Sequence, residues 1–257
     1  RVPWVLLENV PFMLQLDRGR AMNLLVSEFE RLGYRWAYRV VNSLAFGVPQ
    51  RRERVIFLAS QKEDPREVLF ADQAEEIPPP SSPLGALACG FYWTEGVRGL
   101  GWAVDAVPTL KGGSTVGIPS PPAFVLPSGE IVTPDIRDAE RMQGFAVDWT
   151  APAVEVARPG HRWRLVGNAV TVPVFAWLGR RLREPSSDGP LADHWPLRAG
   201  SPWPSAAFGE RGARLGAHVG KWPLAVHRPP LHEWLAFDPK PLSRRATAGF
   251  LARAESS

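Results

Sequence analysis

In its first sixty residues the chain lays out a strand, a helix and two more strands, and that order leaves few folds open. The apolar run Trp4-Val5-Leu6-Leu7 predicts a buried strand over residues 3–10, ending on the polar pair Glu8-Asn9. Met22, Leu25, Phe29 and Leu32 recur at three- and four-residue spacing and predict a helix over 19–32, stopped by Gly33. Residues 34–43 are rich in Tyr, Trp and Val and read as a strand. Phe46-Gly47-Val48-Pro49 then turns the chain into a short strand at Val55-Ile56-Phe57-Leu58. This is the order found at the far edge of a doubly wound α/β sheet that ends in an antiparallel hairpin.

From Gln61 to about Gly129 the periodicity disappears. An acidic stretch, Glu63 to Glu76, leads into Pro78-Pro79-Pro80-Ser81-Ser82-Pro83 and reads as a solvent-facing linker. Short pieces punctuated by Gly, Ser and Pro follow, as in a small irregular domain. Regular structure returns at Thr133-Pro134-Asp135, with Thr as helix cap and Pro at the first position. This helix runs to Met142 or Gln143 and stops at Gly144. A second helix over 171–183 is expected to bury Val174, Leu178 and Leu182 and to end on Arg180, Arg181 and Arg183. Beyond Glu184 come three Trp-Pro pairs, at Trp195, Trp203 and Trp222, in loop-like surroundings to which the pattern assigns no fold. The expected organisation is an α/β segment over 1–60, a linker and irregular region over 61–130, a return to the α/β domain over 131–183 and an extension over 184–257.

Composition narrows the function classes. With 45% apolar and 22% charged residues the chain is globular rather than disordered. No run approaches eighteen apolar residues, and Glu8 interrupts the place where a signal peptide would continue, so an ordinary cytoplasmic protein with no membrane association is expected. The single cysteine, Cys89, rules out an internal disulfide framework and a multi-cysteine zinc site, and no metal is expected. By segment the net charge is +4 over 1–60, −5 over 61–130, +2 over 131–184 and +3 over 185–257. Of 30 basic residues 26 are Arg. Arginine suits bidentate contacts to phosphates and bases, but a genome rich in G and C encodes it regardless, so charge permits nucleic-acid binding without arguing for it.

Three islands stand out. Glu8-Asn9-Val10 lies at the C-terminal end of a strand, where open α/β sheets place ligands, although a solvated strand end reads the same way. Gln50-Arg51-Arg52-Glu53-Arg54 enters a strand after a turn, and strand alternation would put Arg52 and Arg54 on one face, as a functional pair or as a solvated rim. Val166-Gly167-Asn168-Ala169-Val170 leads into a helix whose free N–H groups would suit an anion, though a Gly-Asn pair can be a plain turn.

In this order and spacing the islands resemble the second half of the DNA cytosine-5 methyltransferases. Leu7-Glu8-Asn9-Val10 is similar to that family's Glu-Asn-Val motif, and Leu32-Gly33-Tyr34 through Gly47-Val48-Pro49-Gln50-Arg51-Arg52-Glu53-Arg54 to its next two, including Gln-x-Arg-x-Arg. Ala139-Glu140-Arg141-Met142-Gln143-Gly144-Phe145, with Trp149, resembles the Arg-Leu-Gln-Gly-Phe helix, and Gly167-Asn168-Ala169-Val170 the last motif. Val107-Pro108-Thr109-Leu110 resembles the Thr-Leu element of the target-recognition region. The resemblance covers roughly residues 3–183.

It implies the C-terminal part of a doubly wound, Rossmann-like methyltransferase sheet plus a small target-recognition domain. It further implies methyl transfer from S-adenosylmethionine to carbon 5 of a cytosine flipped out of double-stranded DNA, as in bacterial restriction-modification or epigenetic methylation. Glu8 would be the carboxyl group at ring nitrogen 3 and the exocyclic amine, and Arg54 the guanidinium at oxygen 2. Arg52 would support the site or bind a phosphate. Asn168, Ala169 and Val170 would line the S-adenosylmethionine pocket. Residues 84–130 would read bases in the major groove, with Arg98, Thr109, Leu110 and Lys111 as contacts.

The departure from the family is large. The glycine-rich S-adenosylmethionine motif and the Pro-Cys nucleophile motif precede Glu-Asn-Val in the family, and Cys89 follows Ala88, not Pro. Cys89 is therefore expected to be a small buried residue and not the nucleophile. A chain of this kind is expected to be inactive and poorly soluble alone, and to need a complementary N-terminal half. It would be a fragment or one subunit of a split enzyme, or else a non-catalytic DNA-binding remnant.

Overall fold

The computed structural model describes residues 2–78, 80, 85–94, 101–113, 121–186, 193–198, 200–210 and 212–255. In chain order its elements are β1 (Trp4–Asn9), α1 (Arg20–Arg31), β2 (Arg35–Asn42), β3 (Gln50–Arg51), β4 (Glu53–Ser60), α2 (Arg66–Leu69), β5 (Cys89–Phe91), β6 (Ala103–Val104), β7 (Val107–Pro108) and β8 (Ala123–Val125). There follow β9 (Ile131–Thr133), α3 (Ile136–Gln143), α4 (His161–Asn168), α5 (Val172–Arg183), β10 (His194–Pro196), β11 (Ala206–Glu210), β12 (Ala213–Ala217), β13 (Lys240–Pro241) and α6 (Arg244–Glu255). The arrangement is mixed α/β, in two compact units. The first comprises residues 1–46, 53–77 and 175–226, and the second 47–52, 78–174 and 227–257.

The first unit is built on a six-stranded sheet of order β1-β4-β2-β11-β12-β10, antiparallel at every neighbouring pair. Because β1 and β2 are each antiparallel to β4, they run in the same direction, and α1 carries the chain from one to the other. The helix buries Met22 and Val26 against Tyr34, Trp36 and Phe57. Trp36 stacks in parallel with both Tyr38 and Phe57, its ring centroid 6.3 and 6.1 Å from theirs. Gly33 takes the φ of +79° that ends the helix, a conformation without steric cost only for glycine. The strand at Trp4–Asn9 is half-buried rather than buried, since among the described residues it pairs with β4 alone. The tail supplies what periodicity did not reveal: β11 and β12 continue the sheet beyond β2, and Arg214 of β12 holds Glu30 of α1 at 2.8 Å.

The opposite face of β2 carries Arg39, fully buried. Its guanidinium donates to the carbonyls of Gly220 (2.7 Å), Leu69 (2.9 Å) and Asp72 (2.7 Å), so the tail and the acidic stretch are held through one side chain. Burial pulls its pKa down to about 9, and the Asp72 charge opposes that. The stretch expected to face solvent therefore packs instead. Val68 and Leu69 of α2 are fully buried, and the Asp72 carboxylate accepts from Trp177 and Arg181 of α5.

The second unit contains a five-stranded antiparallel sheet of order β13-β9-β8-β5-β6, and β3 pairs in parallel with β7. The region expected to be irregular is thus a sheet, but its strands are two or three residues long, too short to leave an alternating pattern. Phe124, Val132, Met142, Val166 and Leu231 share its core with Leu110. The cap of α3 is Asp135, whose carboxylate accepts from the Arg137 N–H, and not Thr133, which belongs to β9. Gly144 ends that helix in the left-handed conformation. No helix among the described residues is long and apolar enough to cross a membrane.

Two outcomes follow for stability. Arg39→Ala, which removes the buried guanidinium from the carbonyls of Leu69, Asp72 and Gly220, lowers the unfolding free energy by about 3 kcal/mol in urea titration, and an unchanged midpoint contradicts this. The Arg181 hydrogen bond, with help from Trp177 and the charges of Arg181 and Arg39, holds the Asp72 carboxyl below the ordinary aspartate range against the opposing effect of burial. A depressed folded-state pKa contributes stability that is complete above the unfolded value of about 3.9 and is lost as pH falls through the folded one. Asp72→Asn should flatten the acid limb of the stability–pH curve below about pH 4.

Candidate active site

Glu8 lies one residue from the end of β1, opposite Ile56 in the antiparallel register with β4. Arg54, two residues before Ile56 on β4, reaches diagonally across the pair, and its Nε stands 2.8 Å from Glu8 Oε1. The two side chains are 16% and 27% exposed, for Arg54 and Glu8, so the pair is largely shielded but open on one side. Arg54 Nη1 also donates to the Glu53 carbonyl at 2.7 Å, and the Glu53 carboxylate is held by Lys221 Nζ at 2.9 Å. The guanidinium is thus oriented by its own backbone as well as by Glu8. The arrangement joins a carboxylate to a planar fork of donors, a combination that offers complementary hydrogen bonds to one edge of a heterocycle.

Arg52 and Arg54 do not share a strand face. The ladder is interrupted at Arg52, and the chain passes from the second unit to the first between Arg52 and Glu53. Arg52 is 3% exposed, and its guanidinium donates to the carbonyls of Leu110 (3.2 Å), Gly167 (3.4 Å) and Ala169 (2.9 Å). Two of these acceptors lie at the C-terminal end of α4, where unsatisfied carbonyls and the helix dipole favour a cation. The fully buried Gln50 and Gln143 complete the cluster. Gln50 Nε2 donates to Gln143 Oε1 and to the Met142 carbonyl, and Gln50 Oε1 accepts from the Leu110 N–H at 2.9 Å. Gln143 Nε2 donates to the Ala169 carbonyl at 2.7 Å and to that of Val166 at 3.3 Å. Both glutamines sit inside motifs visible in the sequence, but nothing in the pattern marks them as the buried links between three segments.

The segment Gly167-Asn168-Ala169 ends a helix instead of starting one, so it presents carbonyls where free N–H groups were expected; the Ala169 N–H is bonded to the Leu165 carbonyl at 3.0 Å. Asn168 and Val170 are exposed and Ala169 is half-buried. A Cβ added at Gly167 would lie 2.1 Å from the Lys111 carbonyl carbon and 2.2 Å from the Gly112 nitrogen. Only glycine permits this approach. The Thr109–Lys111 segment is therefore packed directly on the end of α4.

Of the residues expected to contact DNA, Leu110 is 2% exposed and belongs to the core; its side chain anchors the segment and is not available to a base. Thr109 is half-buried and its hydroxyl donates to the Arg51 carbonyl at 3.1 Å. The Lys111 ammonium lies 4.2 Å from the centre of the Tyr92 ring. Arg98 lies outside the described residues. Cys89 is buried in β5, between Val104 and Val125 of neighbouring strands, and burial pushes its thiol pKa up, the reverse of what a nucleophile needs. Glu140 and Arg162, outside every expected site, form an ion pair at 3.0 Å that fixes the segment after α3, with Thr150 also bonded to Glu140.

Comparison with known proteins bears directly on these motifs. The family profile of the C-5 cytosine-specific DNA methylases matches residues 2–89. The chain is 49% identical, over 99% of its length and 67% of the relative's, to the type II methyltransferase M2.BsuMI of Bacillus subtilis (strain 168). This chain belongs to the C-5 cytosine-specific DNA methylases. It is also 41% identical over 26% of its length to the type II methyltransferase M.BanI of Aneurinibacillus aneurinilyticus, and 23% identical over 71% of its length to M.MspI of Moraxella sp.. It spans 16% and 46% of those two relatives. Within the methylase chain, Gly167 offers a direct test of the packing. Gly167→Ala should lower the stability of the second unit by about 3 kcal/mol through overpacking, and a thermal midpoint equal to that of the parent would refute the close approach.

Proposed function

We propose that this chain supplies the base-clamping and target-reading part of a DNA cytosine-5 methyltransferase, as the far edge of a doubly wound, Rossmann-like sheet joined to a target-recognition unit. The observation that carries the reading is the Glu8–Arg54 pair at the end of β1. Cytosine methylation begins when a thiolate adds to carbon 6, which moves electron density onto nitrogen 3 and oxygen 2 and makes carbon 5 nucleophilic. Glu8 hydrogen-bonds nitrogen 3 and the exocyclic amine, and Arg54 hydrogen-bonds oxygen 2. In exchanging part of their mutual ion pair for the base, the two groups meet charge that grows only as the thiolate adds. Carbon 5 then takes the methyl group, loses its proton to a base, and the thiolate leaves as the ring double bond reforms. The thiolate comes from outside this chain, since Cys89 is buried in β5. The target base is reached by flipping from double-stranded DNA.

S-adenosylmethionine supplies an electrophilic methyl group when bound. The α4–α5 turn suits one side of such a molecule: the exposed Asn168 carboxamide offers a donor and an acceptor, and the adjoining exposed Val170 an apolar surface. The Ala169 carbonyl is taken by Arg52 and Gln143, so Ala169 shapes the turn rather than binding. Arg52 is a positioning residue on the same grounds. Thr109 and Lys111 remain the DNA contacts of this reading, with Arg98.

The experiment is methyl transfer to duplex DNA by the chain combined with an N-terminal half that carries the Pro-Cys motif. Transfer should require both parts. Glu8→Gln should lower the single-turnover rate by about 10²–10³ while DNA affinity stays within about twofold. Good DNA binding with no transfer under any pairing would support a non-catalytic remnant, and equal rates for Glu8→Gln and parent would refute the role of Glu8.

A further inference from the structure

The C-terminal arm, residues 227–255, belongs to the second unit, and its attachment is concentrated at two buried aspartates. Asp105 occupies the turn between β6 and β7 with a φ of +51°, and only 9% of its surface is exposed. Its Oδ1 accepts from the Leu231 N–H at 2.7 Å and its Oδ2 from Arg228 Nη1 at 2.8 Å. Its own N–H donates to the Ala88 carbonyl at 2.8 Å, so the turn is fixed on both sides. Asp138 of α3, fully buried, accepts from the Ala236 N–H at 3.0 Å, and Arg141 beside it donates to the Trp234 carbonyl at 2.8 Å. Further on, β13 adds a strand to β9, and Phe250 of α6 packs on Phe91 of β5 with ring centroids 4.2 Å apart.

Three residues separate Asp105 from Thr109, and β7 supplies two of them as a strand paired with β3. A strand this short does not set its own position. Its leading end is held by main-chain bonds, from the Gly90 N–H to the Ala106 carbonyl and from the Val107 N–H to the Pro49 carbonyl, and the Asp105 carboxylate ties that same end to the arm. A non-glycine residue at positive φ is strained, and it stays there because its surroundings over-determine it.

We propose that the arm is part of the target-recognition apparatus: Arg228 and the Leu231 N–H, acting through Asp105, are positioning groups that set Thr109 and Lys111 against DNA and so fix the target sequence. The inference rests on the function proposed above and extends it to a segment that sequence patterning left without a role. Arg228 and Asp105 touch no base in this scheme. Their loss loosens the placement of the reading residues and widens the range of sequences accepted, while the Glu8–Arg54 pair is left intact.

The test uses the chain combined with its Pro-Cys-bearing half and a genomic DNA lacking methylation, with every methylated cytosine read by sequencing. Parent protein should methylate one narrow sequence set. Arg228→Ala, a mild change at a partly exposed side chain, should raise methylation at sites one base removed from the target at least tenfold relative to the target itself, with target rate within about threefold. Asp105→Ala should do so more strongly. Asp105→Asn, which tolerates positive φ and keeps an acceptor for Leu231, should restore most of the discrimination. If Arg228→Ala is as selective as parent, or loses rate equally at all sites together with thermal stability, the arm is a structural support only and the inference falls. If parent methylates no cytosine, the proposed function itself fails, and the inference with it.

Discussion

The second unit depends on one buried polar cluster, in which Arg52 and Gln143 satisfy the open carbonyl end of α4 and Gln50 links Gln143 to the Leu110 backbone. Helix ends leave carbonyls unpaired, and a buried unpaired carbonyl costs 1–3 kcal/mol, roughly, so three such groups would be intolerable in a domain of ordinary stability. The guanidinium on Gly167, Ala169 and Leu110 removes that cost and does something more. It ties the segment around Leu110 to the turn between two helices, and the two glutamines tie both to α3 and β3. Gly167 is then required, since the segments meet backbone to backbone.

The same residue type is used in three ways. Arg52 and Arg39 are buried on main-chain carbonyls and act as connectors across long sequence separations. Arg54 is partly open and faces a carboxylate, a geometry that can be exchanged for a ligand. Arg214 and Arg228 fasten tail segments to carboxylates, Glu30 in the first unit and Asp105 in the second. An excess of Arg over Lys therefore carries structural meaning that a count of charges does not show: a rigid fork of five donors can satisfy several carbonyls at once, which an ammonium group on a flexible stem does less well.

Legibility from sequence followed the length of the elements. The helix at 20–31 and the strands at 35–42 and 53–60 are long enough to carry a periodic signal, and they fall where the pattern puts them. Glu8 and Arg54 were legible as a pair through their motifs, and they meet. The sheet of the second unit escaped because its strands are two or three residues long. The tail escaped because β11 and β12 are small-residue strands, Ala206-Ala207-Phe208-Gly209-Glu210 and Ala213-Arg214-Leu215-Gly216-Ala217, whose glycines lie directly beneath Trp36 and Trp195. Leu110 points into the core, which its motif does not reveal because a motif position says where a residue lies along the chain and not which way it points, and Arg52 leaves the alternation because the ladder breaks at that residue.

The pairing of β2 with β11 joins residues about 170 positions apart. Until the tail has been synthesised, β2 therefore keeps one long unpaired edge, Arg35-Trp36-Ala37-Tyr38-Arg39-Val40-Val41-Asn42, in which aromatic and β-branched side chains alternate with two arginines. Such a segment is a template for intermolecular strand addition, and loop closure over this distance is slow. The hairpin that covers this edge thus leaves the ribosome long after β2, so the route to the native state is most exposed to aggregation in the interval before residue 206 emerges.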